Sequence, residues 1–290
     1  MVRDGSERLN GNLRLDAAIA AATEWLSGTS ESPRLDAELL LARALDVPRS
    51  YLYAHPDDEM DRAAAGRFAD AIERRLQGMP MAYISGEKEF WSMRLIVTTA
   101  TLVPRPETET LIDQALMKLP RRAAMRILDL GTGSGAIALA LARERPGCHV
   151  VATDVSGEAL AVARENARQL MIPNVEFLEG DWLEPVAGRQ FDLIVSNPPY
   201  VAANDPHLEA LGFEPRSALE AGVDGLDAIR RISAAAAAHL AEDGWLLLEH
   251  GADQGRSVAG ILASDGWQEI TGVRDLAGLP RVTVAKRGAD

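Results

Sequence analysis

Leu128-Asp129-Leu130-Gly131-Thr132-Gly133-Ser134-Gly135-Ala136 decides the fold. An apolar strand pattern runs into three glycines and then into the helix pattern Ala136–Arg145. Glycine permits a tight turn and lets backbone N–H groups approach a ligand closely. Residues 131–135 therefore read as a ligand-binding turn, with a purely structural strand-to-helix turn as the plainer alternative. Read from Gly131, the stretch also fits the dinucleotide form G-x-G-x-x-A, which leaves a nicotinamide enzyme open at this point.

Downstream the pattern alternates. Short apolar strands are predicted at Arg126–Leu130, His149–Thr153, Val175–Leu178, Phe191–Ser196, Trp245–Glu249, Trp267–Val273 and Val282–Ala285. Helices are predicted at Ala136–Arg145, Glu158–Leu170, Asp227–Leu240 and Gly255–Ala263. Such alternation implies an α/β protein with a parallel, doubly wound sheet. Only the loop Asp275–Pro280 separates the last two strands, so these should pair antiparallel.

Upstream, residues 12–80 read as helical. Apolar positions recur at Leu13, Ala17, Ile19, Ala20 and Trp25, then at Leu35, Leu39, Leu40 and Leu41, then at Phe68, Ile72 and Leu76. Ser32-Pro33 starts a helix, Val47-Pro48 and His55-Pro56 break helices, and Gly78 with Pro80 ends the run. Residues 1–83 are thus expected to form a small all-α accessory domain without chemistry of its own. Phe90, Trp91, Met93, Leu95 and Val97 then alternate as in a hairpin, and Pro104 and Pro106 hold the chain extended. Residues 84–105 are expected to be a hairpin-like linker, Glu107–Leu119 a helix, and 106–290 the α/β domain.

Composition narrows the function. Apolar residues make up 47% and charged residues 25%, the balance of a globular protein rather than a disordered one. The single cysteine, Cys148, excludes an internal disulfide and a multi-cysteine metal site, and the five histidines have no ligand spacing, so no metal is expected. Arg3, Asp4, Glu7, Arg8, Arg14 and Asp16 leave no apolar export segment in the first twenty residues, and no apolar run is long enough for a bilayer, so a cytoplasmic protein without membrane contact is expected. The net charge is −13; residues 1–95 carry 12 basic and 16 acidic side chains and residues 96–290 carry 18 and 27. Neither part has the basic footprint of a nucleic-acid module, and no direct nucleic-acid partner is expected.

Three further groups lie where strands end, the rim at which open α/β sheets bind ligands. Asp154, 23 residues after Gly131, is placed to accept hydrogen bonds from ribose hydroxyls; its other reading is a helix N-cap, for which Ser156 is the better candidate. Asp181-Trp182 follows the third strand, where an acid and an indole could meet an adenine amine and ring; a tryptophan closing the core is the alternative. Together with the glycine turn they imply a nucleoside-bearing cofactor. Ile194-Val195-Ser196-Asn197-Pro198-Pro199-Tyr200 decides the reaction class. Two prolines lock the backbone and remove two N–H donors, so the carbonyls of Asn197 and Pro198 and the Asn197 side-chain oxygen converge as acceptors. Convergent acceptors fit a planar –NH2 group, and Tyr200 can lie against it.

These residues resemble the class I S-adenosylmethionine-dependent methyltransferases acting on planar amino groups. The narrower resemblance is to the HemK-type release factor glutamine methyltransferases. It rests on Glu89-Phe90-Trp91, Val103-Pro104-Arg105-Pro106-Glu107-Thr108-Glu109, Asp129–Gly135 and Asn197–Tyr200. It continues through Phe213-Glu214-Pro215-Arg216-Ser217-Ala218-Leu219, Leu248-Glu249-His250-Gly251 and Arg274–Arg281, and so covers essentially the whole chain. The resemblance implies a Rossmann-like, mostly parallel seven-stranded sheet with an antiparallel last strand, plus the N-terminal bundle as partner-recognition domain. It implies S-adenosyl-L-methionine as cofactor, with Gly131, Thr132, Gly133, Ser134 and Gly135 at the methionine end, Asp154 on the ribose, Trp182 by the adenine and Asn197 beside the reacting group. Asn197, Pro198, Pro199 and Tyr200 would bind the acceptor, with Asn197, Pro198 and Tyr200 as catalytic residues. The implied acceptor is the glutamine of the Gly-Gly-Gln motif in class I peptide chain release factors. A ribosomal-protein glutamine or the exocyclic amine of a DNA or RNA base is the alternative acceptor, because the Asn-Pro-Pro-Tyr string is shared. Glu249-His250 reads as a satisfied strand-end pair, with a reach into the cleft as the alternative. One departure stands out: Asp205–Phe213 is shorter than the family pattern, with Gly212 where an arginine is usual.

Overall fold

A computed structural model describes residues 13–121 and 124–288. Of the charged residues on which the expectation of no export segment rests, Arg3, Asp4, Glu7 and Arg8 lie outside the described residues, whereas Arg14 and Asp16 lie within them, at the start of the first helix. The chain divides into two compact units, one ending at Gly86 and the other beginning at Glu87.

The first unit contains α1 (Leu15–Leu26), α2 (Pro33–Leu45), α3 (Arg49–Ala54), α4 (Arg62–Leu76) and α5 (Met81–Ser85). Pro33 occupies the first turn of α2, where its missing N–H costs nothing, and Asp61 caps α4 by accepting from the Ala64 N–H. The core is Leu15, Ala18, Ala22, Leu26, Leu40, Leu41, Met60, Phe68 and Ile72. Leu35, Leu39 and Leu76 were expected in this apolar pattern, but they are exposed. The buried stripe of α2 is Ala37, Leu40, Leu41 and Ala44, at helical spacing, which turns Leu35 and Leu39 to the opposite side. Asp36 and Glu38 are buried and paired, Asp36 with Arg75 at 2.8 Å and Glu38 with Arg34 at 2.9 Å and the Tyr53 hydroxyl at 2.6 Å.

The second unit opens with a hairpin, β1 (Glu87–Phe90) and β2 (Met93–Ile96). Its two turn residues, Trp91 and Ser92, both have positive φ, as a tight primed turn requires. Phe90, Met93 and Leu95 are buried in the core of this unit. Asn166 fixes the hairpin from below: its side chain accepts from the Ile96 N–H and donates to the carbonyls of Ile96 and Ser134. A short 3-10 turn at Pro106–Thr108 leads into α6 (Glu109–Lys118).

Seven strands follow: β3 (Arg126–Leu130), β4 (His149–Asp154), β5 (Val175–Glu179), β6 (Phe191–Ser196), β7 (Leu240–Glu249), β8 (Gln268–Arg274) and β9 (Pro280–Lys286). They form one sheet in the order β5-β4-β3-β6-β7-β9-β8. All neighbours pair parallel except β9, which runs antiparallel to both β7 and β8. The faces are covered by α6, α7 (Ala136–Glu144), α8 (Gly157–Gln169), α10 (Asp227–Ala236) and α11 (Gly255–Ser264), and a single turn, α9 (His207–Ala210), lies between β6 and α10. Two apolar clusters occupy the two sides, one around Leu111, Ile137, Leu141, Val150 and Val195, the other around Leu128, Ile194, Ile229, Leu246 and Val258. The helix expected over Asp227–Leu240 stops at Ala236, turns as 3-10 through His239 and yields to β7 at Leu240. Leu240 is buried and pairs with Phe191, and that burial outweighs the helical preference of the alanine run.

Candidate active site

The ends of β3, β4 and β6 meet at a cavity of about 290 Å³. Its floor is the glycine turn. Gly131 and Thr132 both donate their N–H groups to the Thr153 carbonyl at 2.9 Å, which ties the turn to β4. Gly131 has φ +71°, and an added Cβ would lie 3.5 Å from the Trp182 indole, so turn and ring are set against each other. Gly135, at φ +83°, begins α7 where a Cβ would crowd Leu139 at 3.1 Å and Ala163 at 3.2 Å. Asp129 supports the turn from beneath: its Oδ2 accepts from the Thr132 hydroxyl at 2.7 Å and the Ala138 N–H at 3.2 Å. Burial raises this carboxyl to about 7, against the lowering pull of those two bonds.

Asp154 stands at the cavity edge at the end of β4. One carboxylate oxygen accepts from the Gly133 N–H at 2.8 Å and the other from the Ser156 N–H at 2.9 Å. Ser156, not Asp154, caps α8, accepting from the Ala159 N–H at 3.1 Å. A carboxylate has about four lone-pair sites, so both oxygens retain capacity for hydroxyl donors. Trp182 lines the cavity and is anchored by its carbonyl, which accepts from Thr153 Oγ1 at 3.0 Å. Its neighbour Asp181 lines the same wall with its carboxylate paired to Arg231 at 2.5 Å.

Gly131, Gly133, Asp154, Trp182, Asn197 and Pro199 therefore share one cavity. Thr132 and Ser134 are buried; the Thr132 hydroxyl is held by Asp129, and Asn166 donates to the Ser134 carbonyl. Pro198 is buried behind Asn197, and Tyr200 stands one step further along the loop. Pro215, Ser217 and Ala218 close the opposite side together with Thr99–Leu102. Glu214 joins these two segments: it pairs with Arg105 and accepts from the Val103 N–H at 3.1 Å. The sequence flagged Arg105 and Glu214 as family motif; the structure shows them to be one ion pair across the cavity wall.

The Asn197 carboxamide is oriented by a residue the sequence did not single out. Its Nδ2 donates to Thr108 Oγ1 at 3.2 Å, which leaves its oxygen as the free acceptor on the cavity side. The loop behind is rigid: Gln254 donates to the Tyr200 carbonyl at 2.9 Å, and Gly225 passes so close to that carbonyl that a Cβ would lie 2.3 Å from it. Tyr200 is pushed up to about 12 by burial and by the nearby Glu249 charge, so it is a phenol at any physiological pH. Glu249 and His250, read as a satisfied pair, separate. His250 contacts the Gly251 carbonyl and Thr283 Oγ1, both at 2.9 Å, and burial lowers its pKa. Glu249 is not satisfied: among the described residues, its Oε2 has no hydrogen-bond partner.

Comparison with known proteins follows the same division of the chain. Residues 17–86 match the model of the PrmC N-terminal domain, and residues 109–212 match that of the methyltransferase small domain. A protein of Xylella fastidiosa (strain Temecula1) named release factor glutamine methyltransferase is 49% identical over 272 residues, covering 93% of this chain and 97% of its own. One of the same name from Coxiella burnetii is 47% identical over 276 residues, covering 95% and 100%. The chain belongs to the release factor glutamine methyltransferase family. A solved methyltransferase from Pyrococcus furiosus shares the fold, with TM-score 0.54 at 18% identity over 76% of this chain and 100% of that one. No helix among the described residues is long and apolar enough to cross a membrane.

Proposed function

We propose that the chain methylates the side-chain amide nitrogen of the glutamine in the Gly-Gly-Gln motif of class I peptide chain release factors, with S-adenosyl-L-methionine as donor. One observation carries the reading: Asn197, at the end of β6, has its carboxamide nitrogen committed to Thr108, so its oxygen and the proline-locked carbonyls beside it are acceptors for an –NH2 group.

The cavity residues fit the donor molecule. The turn from Gly131 to Gly135 would hold its methionine end, with backbone at Gly131 and Gly133 in the wall and Thr132 and Ser134 shaping the turn from inside. Asp154 would take the ribose hydroxyls and Trp182 the adenine. Bound there, the sulfonium supplies an electrophilic methyl group.

The remaining work falls to the acceptor residues. An amide nitrogen is a poor nucleophile because its lone pair is delocalised into the carbonyl. Hydrogen bonds from both its N–H groups to the Asn197 oxygen and the Pro198 carbonyl would hold the amide in one orientation and return electron density to nitrogen. Such orientation supplies several kcal/mol, up to about 7–11 in ideal intramolecular cases. Fixed acceptors also stabilise positive charge growing on nitrogen, as oxyanion donors stabilise negative charge. Pro199 keeps the loop from yielding, and Tyr200 packs on the amide plane. The N-terminal bundle would dock the body of the release factor, in an assembly that needs neither a membrane nor nucleic acid.

The test is transfer of a labelled methyl group to purified release factor, with the same factor lacking its Gly-Gly-Gln glutamine as control. Ribosomal protein, RNA and DNA serve as parallel acceptors. Label on the native factor alone is the expected result; label on a ribosomal protein or a nucleic acid instead would overturn the proposed acceptor.

A further inference from the structure

Glu249 is the last residue of β7 and follows Leu246, Leu247 and Leu248, all fully buried. A fourth apolar side chain would continue that pattern at no desolvation cost. Instead a carboxyl group lies completely buried, which costs several kcal/mol unless partners compensate. The compensation here is incomplete. Oε1 is 3.5 Å from the Tyr200 hydroxyl, and Oε2 has no hydrogen-bond partner among the described residues. Arg281 favours the ionised form by its charge, but its Nε is paired with Asp275 at 3.3 Å. A second carboxylate, Glu107, faces the same site and opposes its charge.

What the position offers is reach. The Thr108 hydroxyl faces Glu249 and favours its charged form. The same hydroxyl oxygen accepts from Asn197 Nδ2. A hydroxyl that accepts from the carboxamide keeps its own proton available for the carboxylate it faces, so the order Glu249, Thr108, Asn197 has one polarity, ending at the acceptor oxygen. We propose that Glu249, as a carboxylate beneath the Asn-Pro-Pro-Tyr loop, is a positioning residue for methyl transfer: it aligns Thr108 and Tyr200 and, through Thr108, fixes which face of the Asn197 carboxamide meets the acceptor. The inference rests on the methyl-transfer reading above and assigns a role to a residue that touches neither donor nor acceptor.

The charge state matters because a protonated Glu249 becomes a donor. Its proton would compete for the Thr108 oxygen that holds Asn197 Nδ2–H, and the carboxamide would lose its fixed orientation. The ionised form also sets negative charge near the nitrogen that becomes positive. Burial raises Glu249 to about 7 and holds Tyr200 as a donor, so the switch lies in the working range. The other charged and titratable groups facing Glu249 and Tyr200 are Glu107, Arg105 and Arg281, with Asp275 behind Arg281 and His250 next in the chain. His250 is depressed by burial, and Asp275 is held low by backbone N–H groups and Arg281, so both are shifted in the direction opposite to Glu249.

The experiment measures kcat against pH from 6 to 9, and donor affinity, for the whole chain and for Glu249→Gln, Thr108→Val and Thr108→Ser. Glu249→Gln should lower kcat about 10- to 100-fold, the usual weight of a hydrogen bond to a charged group, and remove the acid limb of the profile. Its donor Kd should stay within about threefold. Thr108→Val should lose as much, Thr108→Ser should recover most of it, and the Glu249→Gln/Thr108→Val double variant should be no worse than either single one. Independently of any acceptor, the Asn197 carboxamide protons followed by 15N NMR should titrate in the wild type and not in Glu249→Gln. Wild-type kcat and pH profile in Glu249→Gln, or full activity in Thr108→Val, would overturn the inference. Should Glu249→Gln lose donor binding as well, Thr108→Val and the NMR titration of the wild type decide alone. A wild-type protein that labels no release factor would sink the proposed function instead, while the carboxamide titration still tests the chain of hydrogen bonds.

Discussion

Replacing Glu249 with glutamine should make the second unit more stable in alkali. Burial holds this carboxyl at about 7 instead of its ordinary 4.5. Between those values the unfolded chain has released the proton and the folded one has kept it. Raising the pH through this window therefore favours unfolding, and the stability present below the lower value is lost by the time the upper one is passed. At 1.36 kcal/mol per tenfold change in proton affinity, the full loss is about 3 kcal/mol, of which about 2–3 falls between pH 5 and pH 8. Glutamine cannot ionise, so the variant should gain about 2–3 kcal/mol on the wild type across that interval. Asp129, also raised to about 7 by burial, adds its own slope to both proteins and cancels in the comparison. Urea unfolding at pH 5, 6, 7 and 8, followed by tryptophan fluorescence, is a suitable assay, because four of the five tryptophans (Trp91, Trp182, Trp245 and Trp267) lie in this unit. Parallel pH–stability curves for the two proteins, within about 0.5 kcal/mol, would refute the reasoning, since Glu249 would then bind its proton no more tightly in the folded protein than in the unfolded chain.

Three other outcomes are expected. Asn197→Ala should reduce kcat by about 100-fold or more while leaving the donor Kd within about threefold, as read by single-turnover transfer and calorimetry; unchanged turnover would remove Asn197 from the mechanism. Asp154→Asn should raise the donor Kd about 10- to 100-fold with little change in unfolding midpoint, because Ser156 alone caps α8. Glu214→Gln removes the ionic partner of Arg105 and should cost about 1–3 kcal/mol, with faster amide exchange across residues 99–105 and 213–218, where the two cavity walls are joined.

Legibility in the sequence followed locality. β3 and β6 match their predicted spans to the residue, because a central parallel strand is a continuous apolar run and both end on strong breakers, Gly131 and Asn197-Pro198. β7 begins at Leu240 instead of Trp245, because the Ala234–Ala238 run favours helix and only the distant Phe191 reveals the pairing. Leu35 and Leu39 fit an apolar pattern yet lie outside, since the pattern cannot say which of two opposite stripes α2 buries. Within the cavity, Gly131, Gly133, Asp154, Trp182 and Asn197 were legible because each sits at a strand end within a short, restrictive string. Thr108 was visible only as a letter in a motif. Its meaning appears when residues 108, 197, 200, 249 and 281, from distant segments of the chain, come together.

The two sides of the cavity are built on different terms. The side opposite Asn197 uses backbone N–H groups and one partly exposed carboxylate, Asp154, whose charge water and two N–H donors already support. Little stability is at stake there. The acceptor side depends on an amide held in one of two nearly isosteric orientations, and a carboxamide has no shape difference with which packing could choose between them. Only hydrogen-bond polarity distinguishes oxygen from nitrogen. Imposing that polarity takes a group that is an acceptor alone, and among side chains that means a carboxylate, reached here through Thr108. Burying it carries the stability cost derived above, and an exposed carboxylate would exchange its directional bonds for water. On this reasoning the destabilising charge at the end of β7 follows from the chemistry asked of Asn197: a variant that recovers the lost stability by removing the charge should give up the fixed orientation with it.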